Sequence, residues 1–320
     1  MKVKSPAKSL YNLLVHKSPL EAQLIVTRRC NLSCGYCTEY DNFSEYINLD
    51  ILKERIDALH RLRVVNISML GGEPLMHPQI ADIVEYANRK AQASVTTNAF
   101  LVNEVMIQKL NEAGLQNMEV SVDGLKADPT AYIQKTLRTI RAKLELLKKH
   151  AKFDVHVNVV LCEKTKDTFK ETLTELEKFK VRVAIDLYHD DKGMVDIRGE
   201  EFIRLWDYHY GEGKPFTFLE YDYGKGLLSG DYKKWKCRAG ARMLYVDEFG
   251  KVQYCSAQRG RLNIPVTEYT EDDLRRESKT YKGCESGCSI MCGFRDSEID
   301  NNPVNVVSSL FKAYRHGVFQ

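Results

Sequence analysis

Eight consecutive residues, Cys30-Asn31-Leu32-Ser33-Cys34-Gly35-Tyr36-Cys37, set three thiols four and three positions apart. In one tight turn such thiolates can converge, ligate three irons of a cubane cluster and leave the fourth iron without a protein ligand. Cysteines at short spacing also suit tetrahedral zinc, and the loop by itself leaves both readings open. A second group lies far downstream at Cys237, Cys255, Cys284, Cys288 and Cys292, and Cys162 stands alone. Twelve residues, Gly250 and four more residues separate Cys237 from Cys255. Within that interval, residues 243–246 and 251–254 flank a turn at 247–250, the pattern of a β-hairpin with a cysteine near each end. A hairpin would make those two distant thiols neighbours. Cys284, Cys288 and Cys292 form another close trio, so this group too fits a cluster or a structural zinc knot.

These side chains need elements to hold them. From residue 22 short apolar runs alternate with helical patterns: runs at 22–27, 65–70, 93–97, 118–122, 153–161 and 181–187, and helices at 50–62, 78–89, 105–113, 133–147 and 168–179. In the fourth helix Ile133, Leu137, Ile140, Leu144 and Leu147 mark one buried stripe, and Lys135, Arg138, Arg141, Lys148 and Lys149 read as its solvated face. Each helix returns the chain in one direction, so the six runs imply a parallel sheet. Curled up, this is an incomplete relative of the eight-unit barrel, whose working groups sit at the C-terminal ends of strands. The cysteine loop follows the first strand. The second run ends in Gly71-Gly72-Glu73-Pro74, where two glycines permit close approach of a ligand to the main chain. Residues 9–16 read as a short helix capping the barrel, 200–210 as a helix carrying Trp206, and the glycine-rich stretch 211–230 as a loop-rich bridge.

The chain has 320 residues, 43% apolar and 28% charged, enough for one large α/β domain with a smaller appendage. Its 47 basic and 44 acidic side chains leave a net charge of +3, which points to no nucleic-acid partner and no acidic membrane surface. With no long apolar run there is no signal peptide and no membrane span, and the chain reads as cytoplasmic. Nine cysteines in that compartment argue for metal or redox chemistry over disulfides. His77, His156 and His189 read as structural, while Arg242, Arg259 and residues 220–223 could face a substrate.

The cysteine triad with Tyr36 before its last member, the Gly71-Gly72-Glu73-Pro74 run, Thr97-Asn98 closing the third strand and Ser121-Val122-Asp123-Gly124 closing the fourth resemble the radical S-adenosylmethionine (SAM) superfamily across roughly residues 20–190. The resemblance implies that Cys30, Cys34 and Cys37 hold a [4Fe-4S] cluster whose open iron is chelated by SAM. It implies that Gly71, Gly72 and Glu73, with Pro74 and Asn98 in the same motifs, meet the methionine end, that Tyr36 lies near the adenine, and that Ser121 and Asp123 face the ribose or carboxylate. Reductive cleavage of SAM would then give a 5′-deoxyadenosyl radical that takes a hydrogen atom from the substrate. The downstream cysteines resemble the SPASM/twitch extension of that superfamily. Five cysteines are enough for one auxiliary [4Fe-4S] cluster and not for two, with Cys237 and Cys255 the firmer ligands and the choice of two among Cys284, Cys288 and Cys292 open.

The expected architecture is therefore α/β, a partial (β/α)6 TIM-like barrel with a small C-terminal twitch/SPASM-like domain. Its parts are a cap at 1–20, the barrel at 21–195, a bridge at 196–236 and the auxiliary domain, ending in a helix, at 237–320. An auxiliary cluster beside the substrate suits an oxidation. The short stretch ahead of the barrel leaves no room for a separate leader-binding domain, which favours a small metabolite over a peptide. A peptide-modifying maturase and a non-catalytic iron-sulfur or zinc protein are the alternatives. A flavodoxin- or ferredoxin-like donor would supply the electron.

Overall fold

Each apolar run forms a strand where its side chains alternate between two faces. The computed structural model describes residues 6–130, 132–210, 220–306 and 308. Strands β1 (Glu21–Thr27), β2 (Asn66–Gly71), β3 (Gln92–Thr97), β4 (Asn117–Val122), β5 (Asp154–Leu161) and β6 (Arg182–Leu187) pair in parallel and in chain order. Helices α1 (Pro6–Leu14), α2 (Leu49–Arg61), α3 (Ile80–Lys90), α4 (Glu104–Glu112), α5 (Leu137–His150) and α6 (Phe169–Glu177) precede, join or follow them. Outward residues such as Leu24, Ile67, Val95, Val120 and Val157 are buried against Leu52, Ile83, Ile107, Ile140 and Leu173 of the helices. This is the partial (β/α)6 barrel that the alternation implies. Its inner face differs from a filled barrel: Glu21, Gln23, Glu119, Ser121, His156, Asn158 and Asp186 alternate with the outward apolar set and keep partial exposure.

The C-terminal third builds onto the same sheet. After α7 (Glu200–Tyr210) and α8 (Tyr221–Ser229), strand β7 (Met243–Val246) pairs in parallel with β1, Glu21 opposite Met243. The antiparallel β8 (Lys251–Gln253) and β9 (Ile264–Pro265) follow. The hairpin thus extends the barrel sheet to nine strands, β6-β5-β4-β3-β2-β1-β7-β8-β9. Helices α9 (Glu271–Lys279) and α10 (Met291–Asn301) close this part. A capping box between Thr270 and Asp273 starts α9.

Two expectations change. The part of the glycine-rich bridge that is described is the helix α8, whereas residues 211–219 lie outside the described residues. Its glycines answer a tertiary demand: a Cβ on Gly224 would stand 2.2 Å from the Trp206 ring, and one on Gly226 2.7 Å from the Asp231 carbonyl oxygen. Gly224 lets α8 cross α7 closely, Gly226 makes room for the chain that turns back after α8, and Gly230 ends that helix in the left-handed conformation. The fourth barrel helix also begins later than its stripe suggests, because the Thr136 hydroxyl accepts from Thr139 N at 3.3 Å and caps it. Ile133 is buried ahead of the helix, and Lys135 leaves the solvated face altogether. Among the described residues no helix is long and apolar enough to cross a membrane.

Candidate functional site

The cysteine loop is pinned at both ends before its thiols come into play. Cys30 N donates to Asp41 O at 3.1 Å, Asp41 N to Arg28 O at 2.7 Å and Cys37 N to Cys34 O at 3.0 Å. Arg28 donates to Thr38 O at 3.0 Å, and Arg29 to Asn42 O at 3.0 Å and Ser44 O at 3.3 Å, so two guanidiniums staple the far side of the loop. Asn98, at the end of β3, donates to Asn31 Oδ1 at 2.9 Å and approaches Cys30 Sγ at 3.8 Å. Burial pushes the Cys34 thiol up to about 11 and raises Cys30 and Cys37, and Cys30 and Cys37 press Cys34 further. Ionised together in that environment, the three would need positive charge beside them, part of which the Lys135 ammonium supplies to Cys34 and Cys37.

The Gly-Gly-Glu-Pro run lies against the root of this loop. Gly71 has φ +149° and a Cβ there would stand 2.0 Å from Thr27 O, while one on Gly72 would be 2.4 Å from the carbonyl oxygens of Arg28 and Arg29. Only glycine lets β2 end this close to β1. Glu73 is fully buried, and its carboxylate accepts from Leu75 N at 3.0 Å, Thr97 Oγ1 at 2.7 Å and Asn98 N at 2.7 Å. It thereby locks the ends of β2 and β3 together, a role the motif alone does not disclose. Pro74 is buried at the start of a short turn of helix, residues 74–76.

The fourth strand end carries a buried polar group. Asp123 is 1% exposed, Lys135 Nζ faces its Oδ1 at 3.3 Å, and the Tyr36 hydroxyl is its other polar neighbour. The same ammonium lies 5.1 Å from the centre of the Tyr36 ring. Burial alone would discharge Lys135, but Asp123, Cys34 and Cys37 hold it protonated above the usual lysine range. Tyr36 packs on Tyr132 at 5.7 Å and on Tyr188 at 6.3 Å, and its buried hydroxyl lies toward the Asp123 carboxylate; burial first and that carboxylate second push the phenol up. Ser121 stands half-buried in the lumen opposite Asn158. Lys135 is the residue the helical pattern misplaces. The signal available was its position just before the Thr136 cap, one turn short of the helix it was counted in.

The downstream cysteines divide. Cys237, Cys255, Cys284 and Cys288 line one small cavity with Trp235, Met243, Tyr254 and Lys282. Cys292 is not part of that lining: it packs against the cluster of Cys237, Met243, Tyr254 and Cys255, and its thiol accepts from Gln23 Nε2 of β1 at 3.6 Å, on the barrel side. Burial pushes Cys237 up to about 12 and Cys255 up to about 11, and raises Cys284 and Cys288. Lys282 is buried on the cavity wall, held by Glu277 Oε2 at 2.9 Å and 4.2 Å from the centre of the Tyr254 ring. Among the described residues no three His, Cys, Asp or Glu side chains close on a point fit for a single ion.

Several polar residues prove structural. His77 Nε2 bonds Ile47 O at 2.8 Å, and His156 bonds Glu119 at 2.9 Å and Asn117 at 3.1 Å. Arg242 is 1% exposed and paired with Asp300, so it faces no substrate. Arg259 pairs with Glu248 and lies 3.9 Å from Glu39. Tyr223 is stacked on Phe294 at 3.7 Å and anchors the Cys288 carbonyl through its hydroxyl at 2.5 Å.

Residues 24–176 match the model of the radical SAM superfamily. A GTP 3′,8-cyclase of Clostridium perfringens (strain SM101) is 27% identical over 254 residues, covering 73% of this chain and 72% of that protein. Streptococcus suis SuiB, solved bound to S-adenosylmethionine, superposes with a TM-score of 0.61 at 17% identity, over 85% of this chain and 67% of that one. Native anSMEcpe, solved with AdoMet and the Kp18Cys peptide, gives 0.57 at 16% identity, over 90% and 99%. Both structural likenesses speak to the fold.

Proposed function

We propose, for a chain that belongs to the radical SAM superfamily, that it oxidises or rearranges a small metabolite held in the barrel lumen between two iron-sulfur sites. The observation that carries this reading is the juxtaposition at the strand ends: three buried or half-buried thiols in one loop, a glycine pair pressed against that loop, and a buried Asp123–Lys135 pair beside them. The donor set suits an iron-sulfur cubane, and the buried polar group of Tyr36, Asp123 and Lys135 beside it suits a polar cosubstrate. A [4Fe-4S] cluster held by Cys30, Cys34 and Cys37 would supply the electron for reductive cleavage of the sulfonium bond of SAM, the chemistry that starts hydrogen-atom abstraction from a substrate.

The chain's residues do the rest. Cys30, Cys34 and Cys37 ligate the first cluster, and Glu73 holds the ends of β2 and β3 rigid beside it. We assign Lys135 to the cosubstrate carboxylate, which adds a contact that the family motifs do not name. The aromatic wall of Tyr36, Tyr132 and Tyr188 keeps water from a reactive centre. Cys237, Cys255, Cys284 and Cys288 would form a complete ligand set for an auxiliary cluster, and Lys282 favours the Cys237 thiolate. The barrel at 21–195, the bridge at 196–236 and the segment from 237 onward then divide initiation from auxiliary electron transfer, with a flavodoxin- or ferredoxin-like donor feeding the first cluster.

Anaerobic reconstitution, reduction with dithionite and addition of SAM are expected to yield 5′-deoxyadenosine and methionine in equal amounts, quantified by liquid chromatography. Failure to form either sinks the proposal. Lys135→Met is expected to keep the cluster absorbance and bind SAM about tenfold more weakly, a loss of about 1.4 kcal/mol of a charge-assisted contact. Unchanged affinity by calorimetry would remove Lys135 from the cosubstrate site.

A further inference from the structure

The lumen beneath the strand ends holds charges that no step above uses. Glu21 stands first in β1, Glu119 third in β4 and Asp186 next to last in β6, so their inward carboxylates run down the wall from the mouth. Glu220 and, on α10, Asp296 join them. Arg295 faces this group, with Glu220 at 3.5 Å, Asp296 at 3.7 Å and Glu21 at 3.9 Å. One guanidinium is thus shared by three carboxylates, and at none of them is it closer than the outer limit of a hydrogen bond. Elsewhere in the lumen His156 serves Glu119 at 2.9 Å, and Asn158 donates to Asp186 at 2.7 Å.

The charges do not balance. Five carboxylates meet the Arg295 guanidinium, the His156 and His189 imidazoles and, at Glu119, the Lys135 ammonium that is itself paired with Asp123, and Asp296, 1% exposed, has an Oδ2 with no hydrogen-bond partner. Asn158 Oδ1 is likewise buried and unpartnered. The space is open: 32% of the Glu119 side chain and 49% of that of Arg295 stay accessible. Burial without enough positive charge pushes the carboxyls of Glu21, Asp186 and Glu220 up, and that of Asp296 up to about 8. A buried, underpaired acidic chamber is costly on its own and becomes favourable when a cation enters it.

We infer that the lumen binds a cationic group of the substrate, an alkylammonium or guanidinium, among Glu21, Asp186, Glu220 and Asp296, with the reacting carbon directed toward the strand ends. This rests on the reading of the lumen as the substrate chamber. Both a free amine and a basic peptide side chain carry the required chemistry.

The test titrates reconstituted holoenzyme with SAM present, by calorimetry, against two matched pairs: 1,5-diaminopentane with 1,5-pentanediol, and acetyl-Gly-Lys-Gly-amide with its norleucine counterpart. At least one cation is expected to bind ten times more tightly than its neutral partner, and the E21Q/D296N double variant should lose that preference. Preference in the diamine pair alone assigns a small molecule, and in the peptide pair alone a peptide. Equal affinity within both pairs, or a preference that survives the double variant, overturns the inference. Should the double variant fail to retain iron, E21Q alone carries the same comparison. 5′-Deoxyadenosine is assayed in the same preparations without probe: SAM cleavage with no cation preference removes this inference only, whereas absent cleavage removes the radical reading beneath it.

Discussion

Replacement of Cys30, Cys34 and Cys37 together by alanine is expected to abolish 5′-deoxyadenosine formation and to lower the iron content from about eight to about four atoms per chain. The three thiols belong to one loop whose backbone is held by Asp41, Arg28 and Arg29 rather than by the cysteines themselves. The fold should therefore survive their loss, and the change should be confined to one cluster. The iron that remains would sit on Cys237, Cys255, Cys284 and Cys288, which line a separate cavity. The matching removal of Cys237 and Cys255 should also bring iron to about four, through loss of the other centre. Wild-type protein carrying only about four irons, all lost with the first triad, would eliminate the auxiliary cluster. Undiminished 5′-deoxyadenosine in the triad variant would eliminate the initiating one.

Arg242→Ala is expected to destabilise the fold by about 3 to 5 kcal/mol, the cost of leaving one partner of a buried ion pair behind. Its guanidinium donates to Asp300 at 2.6 and 2.9 Å, to Ser18 O at 2.8 Å and to Leu13 O at 3.0 Å, while its own carbonyl accepts from Leu20 N at 2.7 Å. One side chain thus ties the segment before β1 and the end of α10 to the start of β7. Lys17 at 3.8 Å and Arg238 at 4.0 Å from Asp300 soften the loss without replacing the fork. Burial works to raise the Asp300 carboxyl, yet Arg242 outweighs it and holds the group below the usual carboxylate range. That stabilisation is fully present above the ordinary carboxylate value and disappears as pH falls through the lowered one. Urea unfolding at neutral pH should show the full difference between wild type and variant, and the two should converge in acid. A difference under about 1 kcal/mol at neutral pH would reduce the pair to the rank of a surface salt bridge.

The contrast between these residues shows what a linear reading reaches. Ligand spacing is local, so the cysteine loop, the Gly71-Gly72 turn and the hairpin between Cys237 and Cys255 were legible as they stand. Hydrophobic period is local too, and it placed six parallel strands and their helices to within a few residues. Lys135 and Arg242 were misread for one reason: both owe their role to partners far away in sequence or across a loop. Lys135 lies near a periodic surface pattern but turns inward to Asp123, Tyr36 and the thiols. Arg242 lies beside a cysteine hairpin but meets Asp300, 58 residues on. Gly224 and Gly226 mimic a loop composition because the Trp206 ring and the Asp231 carbonyl leave no room for a Cβ.

The residues alone determined the chemistry available to this protein: two groups of soft sulfur side chains, a main-chain approach at Gly71 and Gly72, and the crossover pattern that gathers strand ends on one face. Tertiary structure decided the rest. It set β7 beside β1, kept Cys292 out of the lining of the four-cysteine cavity, and turned Glu21, Glu119, Asp186, Glu220 and Asp296 toward one lumen. The physical reason is range. Spacing and periodicity act over a few residues along the chain, whereas charge balance and packing are settled by whichever side chains the closed sheet brings face to face.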